Sequence, residues 1–254
     1  MTNKRGETME KIYERPSGLL ESGMGYCPGC LHGVIAKILA EVLEEMNLKD
    51  NTIAVLPIGC GALISSAIDL DMIISLHGRA PATATGLSRT TDKFIFTYQG
   101  DGDLASIGLA EIMHAANRGE NFAVVFVNNG IFGMTGGQMA PTTLIGQKAT
   151  TAQSGRTPKE GYPMHMCELI STLKAPVYVE RCSLDSPQHI LAAKKAIKKA
   201  FQNELDGKGF SFIELLSNCP TNWGLSPAKS IEYMREHTME EFPIGVYKDV
   251  SKEV

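Results

Sequence analysis

The chain has no apolar run long enough to cross a bilayer. Its longest clean run, around residues 122–127, falls far short of the ~20 residues a spanning helix needs. An apolar signal core is missing too, because MTNKRGETMEKIYERP is charged throughout, and a cytoplasmic location is the expectation. Positive charge is not in excess: Lys and Arg total 24 against 28 Asp and Glu, a formal charge of −4. Such a balance offers phosphate backbones no general attraction and argues against a nucleic-acid partner. Repeats and low-complexity tracts are lacking, and 43% hydrophobic with 20% charged residues excludes a disordered chain. Disulfides are rare in reducing compartments, so the six cysteines call for metal binding or burial. The 254 residues leave room for one or two domains. With no boundary legible, the expectation is one domain over 1–254, with an N-terminal arm over 1–20. A C-terminal segment over 220–254 is expected to pack on the domain or on a partner subunit.

What is present alternates between helix-like and strand-like stretches. Val34, Ile35, Ile38, Leu39, Val42, Leu43 and Met46 recur at three- and four-residue steps and predict an amphipathic helix. TIAVLPIGCG is a short β-rich stretch running into a glycine turn, and FIFTY is the next strand. The loop GDGD follows, then a helical pattern through Ile107, Leu109, Ile112, Met113 and Ala116, stopped by Gly119. His114, on that helix, is expected to pack against the sheet. FAVVFV, apolar throughout, reads as a strand covered on both faces. Strand, crossover helix and strand make a right-handed parallel βαβ unit. Residues 128–163, rich in Gly, Thr and Pro, form a long loop of the kind that often carries function. A helix over 164–173, a strand over 176–181, a Lys-rich helix over 187–205, the strand GFSFIELLS and a helix over 227–237 complete the order. The fold class is α/β: a mostly parallel sheet with helices on both faces.

Gly100-Asp101-Gly102 lies outside the carboxyl end of a strand, where open parallel sheets bind ligands. Glycines admit a phosphate close to the backbone, and helix N-terminal amides favour its charge. Asp101 would repel that phosphate unless a cation lay between them, and Mg²⁺ bridging carboxylate and phosphate oxygens resolves the conflict. The next strand ends at Asn128-Asn129, which brings amide oxygens to the same edge. Taken singly, each element is equally an ordinary turn. Cys27-Pro-Gly-Cys30 has a chelate spacing open to zinc, an iron–sulfur cluster or redox use. Cys60 and Cys219 each follow a strand.

GDG followed some 25 residues later by NN resembles the thiamine diphosphate enzymes. The resemblance implies a diphosphate-binding domain, with Mg²⁺ held by Asp101, Asn129 and the carbonyl of Ile131. YCPGCLHG, PIGCG, LHGRAPATATG, YQGDGDLASIG, NNGIFGMTGGQMAPTT and SNCPTNWGLSP occur in that order over about 26–227. They resemble the β subunits of 2-oxoacid:ferredoxin oxidoreductases, in particular those acting on 2-oxoglutarate or 2-oxoisovalerate. Implied with them is CoA-dependent oxidative decarboxylation of a 2-oxoacid to acyl-CoA and CO₂, with thiamine diphosphate as cofactor. The resemblance further implies one [4Fe–4S] cluster on Cys27, Cys30, Cys60 and Cys219, passing electrons to ferredoxin. A non-oxidative thiamine diphosphate enzyme with a structural four-cysteine zinc site is the alternative, because its spacing would look identical. Cys167 and Cys182 are expected to be buried bystanders.

The expected cofactor-binding set is Gly59, Cys60, Gly61, His77, Gly78, Arg79, Gly100, Asp101, Gly102, Asp103, Asn129, Thr135 and Gly136, while His32 is a cluster neighbour or cap. The glutamate that activates the cofactor belongs, by resemblance, to a pyrimidine-binding domain, so it is expected on another subunit. The implied partners are therefore pyrimidine-binding α and γ-type subunits, ferredoxin, CoA and the 2-oxoacid. After the third cluster cysteine many relatives carry Ser-Ser and then Arg or Lys; here stand Gly61, Ala62, Leu63 and Ile64. Such a surface suits an apolar substrate side chain better than a second carboxylate. Lys194, Lys195, Lys198 and Lys199 make one helix face basic; a solvated face is expected, with ferredoxin steering as the other reading.

Overall fold

The computed structural model describes residues 13–253. Its strands are β1 (Thr52–Leu56), β2 (Asp71–Ile74), β3 (Phe94–Gly100), β4 (Ala123–Asn128), β5 (Ile131–Phe132), β6 (Gln138–Met139), β7 (Tyr178–Ser183), β8 (Ser211–Leu216) and β9 (Gly245–Asp249). Seven of them form one sheet in the order β2-β1-β3-β4-β8-β7-β9, and β5 with β6 makes a separate hairpin. Within the large sheet every pairing is parallel except that of β9 with β7. All six residues of β4 are buried, as its unbroken apolar run requires at the centre of a sheet covered on both sides.

The helices are α1 (His32–Glu45), α2 (Ala80–Thr90), α3 (Leu109–Arg118), α4 (Met166–Ser171), α5 (Pro187–Leu205), α6 (Pro220–Trp223), α7 (Pro227–Tyr233) and α8 (Met239–Glu241). On one face of the sheet, α1 and α5 bury Ile35, Leu39, Val42, Ile197 and Phe201. On the other, α2, α3 and α4 bury Ala84, Ile112, Ala116, Met166 and Ile170. The expected α/β architecture is present. α3 stops where Gly119 takes a left-handed conformation, φ 65°, and α5 starts with Pro187 behind the Ser186 cap, whose hydroxyl accepts the His189 N–H. Between Asp101 and α3 the chain makes a π-helical turn, Gly102–Ile107. No helix among the described residues is long and apolar enough to cross a membrane.

Some expectations need correction. His114 is exposed, because the helical period turns Ile112, Ala115 and Ala116 inward and leaves it on the outer face. The strand β2, the helix α2 and the strand β9 carry no sequence signal strong enough to predict them. The helix expected over 227–237 breaks at Met234 into a π-helical turn, Met234–Thr238. Of the expected arm only residues 13–20 are described; Leu19 bridges Ile68 there. The 220–253 stretch lies against the domain, with β9 as its edge strand.

The middles of β7 and β8 are tied by a charge pair with no solvent contact. Arg181 Nε lies 2.9 Å from Glu214 Oε2, and both side chains are fully buried. Glu214 Oε1 accepts from Asn128 Nδ2 at 2.8 Å, and Arg181 Nη2 reaches Glu168 at 2.6 Å. Removing one partner leaves the other charge buried and uncompensated. Arg181→Met should therefore destabilise the chain by about 3–5 kcal/mol in urea unfolding. A loss under about 1 kcal/mol would show that Glu214 can be neutralised there at little cost.

Candidate active site

The parallel register brings several strand ends to one sheet edge. Gly59 and Cys60 follow β1, Asp101 follows β3, Asn129 follows β4 and Cys219 follows β8. Adjacent strands β1 and β3 leave toward opposite sides of the sheet, β1 connecting outward to β2, so a crevice opens between their ends. Its lining includes Gly59, Cys60, Gly61, His77, Gly100, Asp101, Gly102, Asp103, Asn129, Ile131 and Thr135. His32, Ile58, Phe132, Gly133 and Met134 complete it. Gly78, Arg79 and Gly136, expected in the same set, are not among the lining residues. Arg79, the residue that precedes the first turn of α2, is exposed and turned to Glu111 on α3.

The two aspartates of GDGD do different work. Asp101 is buried, and its Oδ2 accepts from the Gly130 N–H at 2.7 Å and the Thr142 hydroxyl at 2.6 Å. Its Oδ1 accepts from the Gly102 N–H at 2.8 Å. Burial pushes the carboxyl up to about 6, against the pull of these donors. All of those donors are neutral, so a cation would relieve the buried charge. That is the property expected of a metal ligand. Asp103 instead braces the loop before α2: Oδ1 accepts from the Gly78 N–H at 2.8 Å and Oδ2 from Gln99 Nε2 at 2.6 Å. His77 Nδ1 lies 2.6 Å from the same Oδ1, close but not aligned as a hydrogen bond. Gly78 has φ +76°, and a Cβ there would meet the Gly108 backbone at 2.6 Å, so the loop packs directly on the end of the π-turn. A Cβ on Gly102 would strike the Phe132 ring at 2.3 Å.

Asn129 turns the chain out of β4, its Oδ1 accepting from the Ile131 N–H at 3.2 Å. Trp223 Nε1 donates to the Asn129 carbonyl at 3.2 Å. Thr135 is exposed at the rim, its hydroxyl donating to Gln138 Oε1 at 2.5 Å.

Beside the crevice lie the four cysteines singled out from the sequence. Sequence position separates Cys27 and Cys30 from Cys219 by most of the chain, and Asn218 closes that distance. Its Oδ1 accepts from the Leu31 N–H and its Nδ2 donates to the Gly29 carbonyl, each at 3.1 Å. Cys60 and Cys219 approach one point on the Gly133 backbone: a Cβ there would lie 3.2 Å and 3.7 Å from their sulfurs. Burial first, and the neighbouring cysteines after it, push the Cys30 thiol up to about 12 and the Cys60 thiol up to about 11. Asp101 adds to the rise at Cys60 and Cys219, so thiols and carboxylate feel one another's charge. Such a group resists ionisation alone and welcomes a multiply charged centre. The sulfurs are nonetheless not drawn together: among the described residues no three His, Cys, Asp or Glu are gathered as a metal site. Cys167 and Cys182 are buried in the helix and strand cores, as expected.

His32 is buried under this group and lowered to about 4 by burial, hence neutral. It contacts the Tyr98 hydroxyl and stacks on Tyr26 at 5.1 Å. The basic face of α5 is largely compensated. Lys194 pairs with Glu41 and Glu45, Lys198 with Glu45, and Lys199 with Asp249. Sequence reasoning missed Thr142 and Asn218. The first was legible only as part of APTT, the second only as the residue before Cys219.

Residues 59–215 match the family described as "Thiamine pyrophosphate enzyme, C-terminal TPP binding domain". The chain is 44% identical over 252 residues to the ketoisovalerate oxidoreductase subunit VorA of Methanothermobacter marburgensis, covering 98% of this chain and 53% of that one. It is 36% identical over 235 residues to the 2-oxoglutarate synthase subunit KorB of Methanocaldococcus jannaschii, covering 90% and 82%. The chain thus spans about half the length of VorA and most of KorB. In fold it is similar to a chain of the 2-oxoglutarate:ferredoxin oxidoreductase of Magnetococcus marinus, with a TM-score of 0.77 at 24% identity, over 96% of this chain and 89% of that one.

Proposed function

The chain belongs to the thiamine diphosphate enzymes, among the β-type subunits of the 2-oxoacid:ferredoxin oxidoreductases, and from that premise we propose its part in catalysis. It holds the diphosphate half of the cofactor through Mg²⁺ on Asp101, Asn129 and the Ile131 carbonyl. The single observation that carries this reading is the buried Asp101 carboxylate, ringed by neutral donors and opening on a glycine-walled crevice. The bound cofactor would supply the nucleophilic carbon and electron sink that decarboxylation of a 2-oxoacid requires. Gly59 and Gly100, where a Cβ would meet nothing within 4 Å, admit the diphosphate to the backbone, and Asp103 keeps His77 at the crevice wall.

Cys27, Cys30, Cys60 and Cys219 hold a [4Fe–4S] cluster beside the cofactor in this proposal, and ferredoxin takes its electrons. Support comes from their mutual electrostatic influence and the proximity of Cys60 and Cys219 to Asp101. The activating glutamate comes from a pyrimidine-binding subunit that covers the crevice. Ile58, Leu76, Ile107 and Met134, all exposed around the strand ends, offer that subunit an apolar rim. CoA accepts the acyl group within the complex.

The substrate we propose is 2-oxoisovalerate. Ile58, Phe132 and Met134 line the crevice, and Gly61 to Ile64 bring no cation to it. A second substrate carboxylate would be desolvated there without a partner. The test is a 2-oxoacid panel on the anaerobic complex, with CoA and a dye acceptor. The branched-chain acid should exceed 2-oxoglutarate in kcat/KM by roughly 100-fold, as an unpaired buried charge demands. Preference for 2-oxoglutarate would overturn the assignment, and turnover by this chain alone would overturn the shared active site.

A further inference from the structure

Two adjacent threonines of the long loop grip Asp101 and the segment that carries Asn129, and both are fully buried. The Thr142 hydroxyl donates to Asp101 Oδ2 at 2.6 Å. The Thr143 hydroxyl donates to the Gly130 carbonyl at 2.6 Å and accepts the Ala140 N–H at 2.8 Å. Gly130 in turn donates its own N–H to the same Oδ2 at 2.7 Å. A carboxylate oxygen offers about two lone-pair sites, so Oδ2 is filled. Oδ1 takes the Gly102 N–H; the Asn129 N–H also faces the carboxylate but makes no aligned hydrogen bond, so one site on Oδ1 stays open.

Behind the threonines stands Arg156, also buried. Its guanidinium meets backbone carbonyls and no carboxylate among the described residues. Nη1 donates to the Pro141 and Thr143 carbonyls at 2.8 Å and 2.6 Å, on either side of Thr142. Nε reaches the Gly161 carbonyl at 2.8 Å and Nη2 that of Tyr162 at 3.0 Å. Burying a cation against neutral acceptors costs stability, and here the return is a fixed loop geometry. Five donors in a planar fork can hold both flanks of one residue, which an ammonium cannot.

We propose that Thr142 is a positioning residue of the cation site, occupying Asp101 Oδ2 so that Oδ1 alone is presented to Mg²⁺, and that Arg156 supports it. This rests on Asp101 being the Mg²⁺ ligand. Fixing a carboxylate by a hydrogen bond on its far oxygen orients it as outer-shell partners orient other metal ligands.

The test uses the complex with its partner subunits and reads thiamine diphosphate binding by equilibrium dialysis across a Mg²⁺ series. Thr142→Val should raise the Mg²⁺ needed for half-maximal binding on the order of ten-fold, the loss of one hydrogen bond to a charged acceptor. Thr142→Ser should restore the wild-type value, because only the hydroxyl matters. Arg156→Lys should move the Mg²⁺ requirement in the same direction, although Arg156 does not line the crevice. Where valine is not accommodated, Thr142→Ala carries the same expectation. Asp101→Asn separates the two levels. If it leaves the Mg²⁺ dependence unchanged, the ligand assignment itself fails. If it abolishes Mg²⁺-dependent binding while Thr142→Val and Thr142→Ala match wild type, or serine does not rescue, only the positioning role is overturned.

Discussion

Asp101→Asn should abolish Mg²⁺-dependent binding of thiamine diphosphate while the complex still assembles. The substitution keeps the size of the side chain and removes the charge proposed to hold the cation. A bridging cation is worth several kcal/mol, so affinity should fall by at least about 100-fold in calorimetric titration. The same variant has a second, opposite signature. Burial raises the Asp101 carboxyl to about 6 from 3.8, so folding disfavours its ionised form. Stability contributed by the protonated group is present near pH 4 and lost as pH rises through about 6. Thermal unfolding of the cation-free wild type should show that loss, and Asp101→Asn should flatten it. Undiminished cofactor affinity in the variant would move the cation elsewhere.

Cys219→Ser should separate cofactor binding from electron transfer. Cys219 sits where β8 ends, with its sulfur 3.3 Å from Asn222 Nδ2 and beside the Cys60 sulfur at Gly133. Losing one of four thiolates should deplete iron and acid-labile sulfide and bleach the visible absorbance of the anaerobic complex. Reduction of ferredoxin or dye should fall to background, while thiamine diphosphate still binds, since the Asp101 contacts do not involve Cys219. Cys182→Ser, in the strand core away from the crevice, should keep its iron. Stoichiometric zinc and no visible absorbance in the wild type would replace the electron-transfer reading with a structural metal site.

Much of the fold could be read from the chain. β3, β4 and β8 are apolar runs of strand length, and α1 and α5 repeat their apolar residues at helical spacing. Other elements were not legible for physical reasons. β2 is a four-residue edge strand with Asp71, Ile73 and Ile74 exposed, so no alternation marks it. α2 is built mostly of Ala, Thr, Gly and Ser, and close packing of small residues leaves no hydrophobic period. β9 exists only because β7 offers it an edge. His114 and Arg79 show the limit of adjacency: each neighbours residues that turn inward, and each faces outward.

By itself the sequence determined which chemistry stands at the strand ends. GDG after β3 and NN after β4 lie at one edge of any right-handed parallel βαβ unit, because consecutive parallel strands end on the same side. Only the tertiary structure decided what holds those groups in place. Thr142 meets Asp101 from 41 positions away, Asn218 straps the Cys27–Cys30 turn from nearly 190, and Arg156 binds carbonyls that every residue possesses. Backbone acceptors carry no side-chain signature, and long-range pairing has no period. The residues at the strand ends were therefore visible in the chain, and the scaffold that aims them was not.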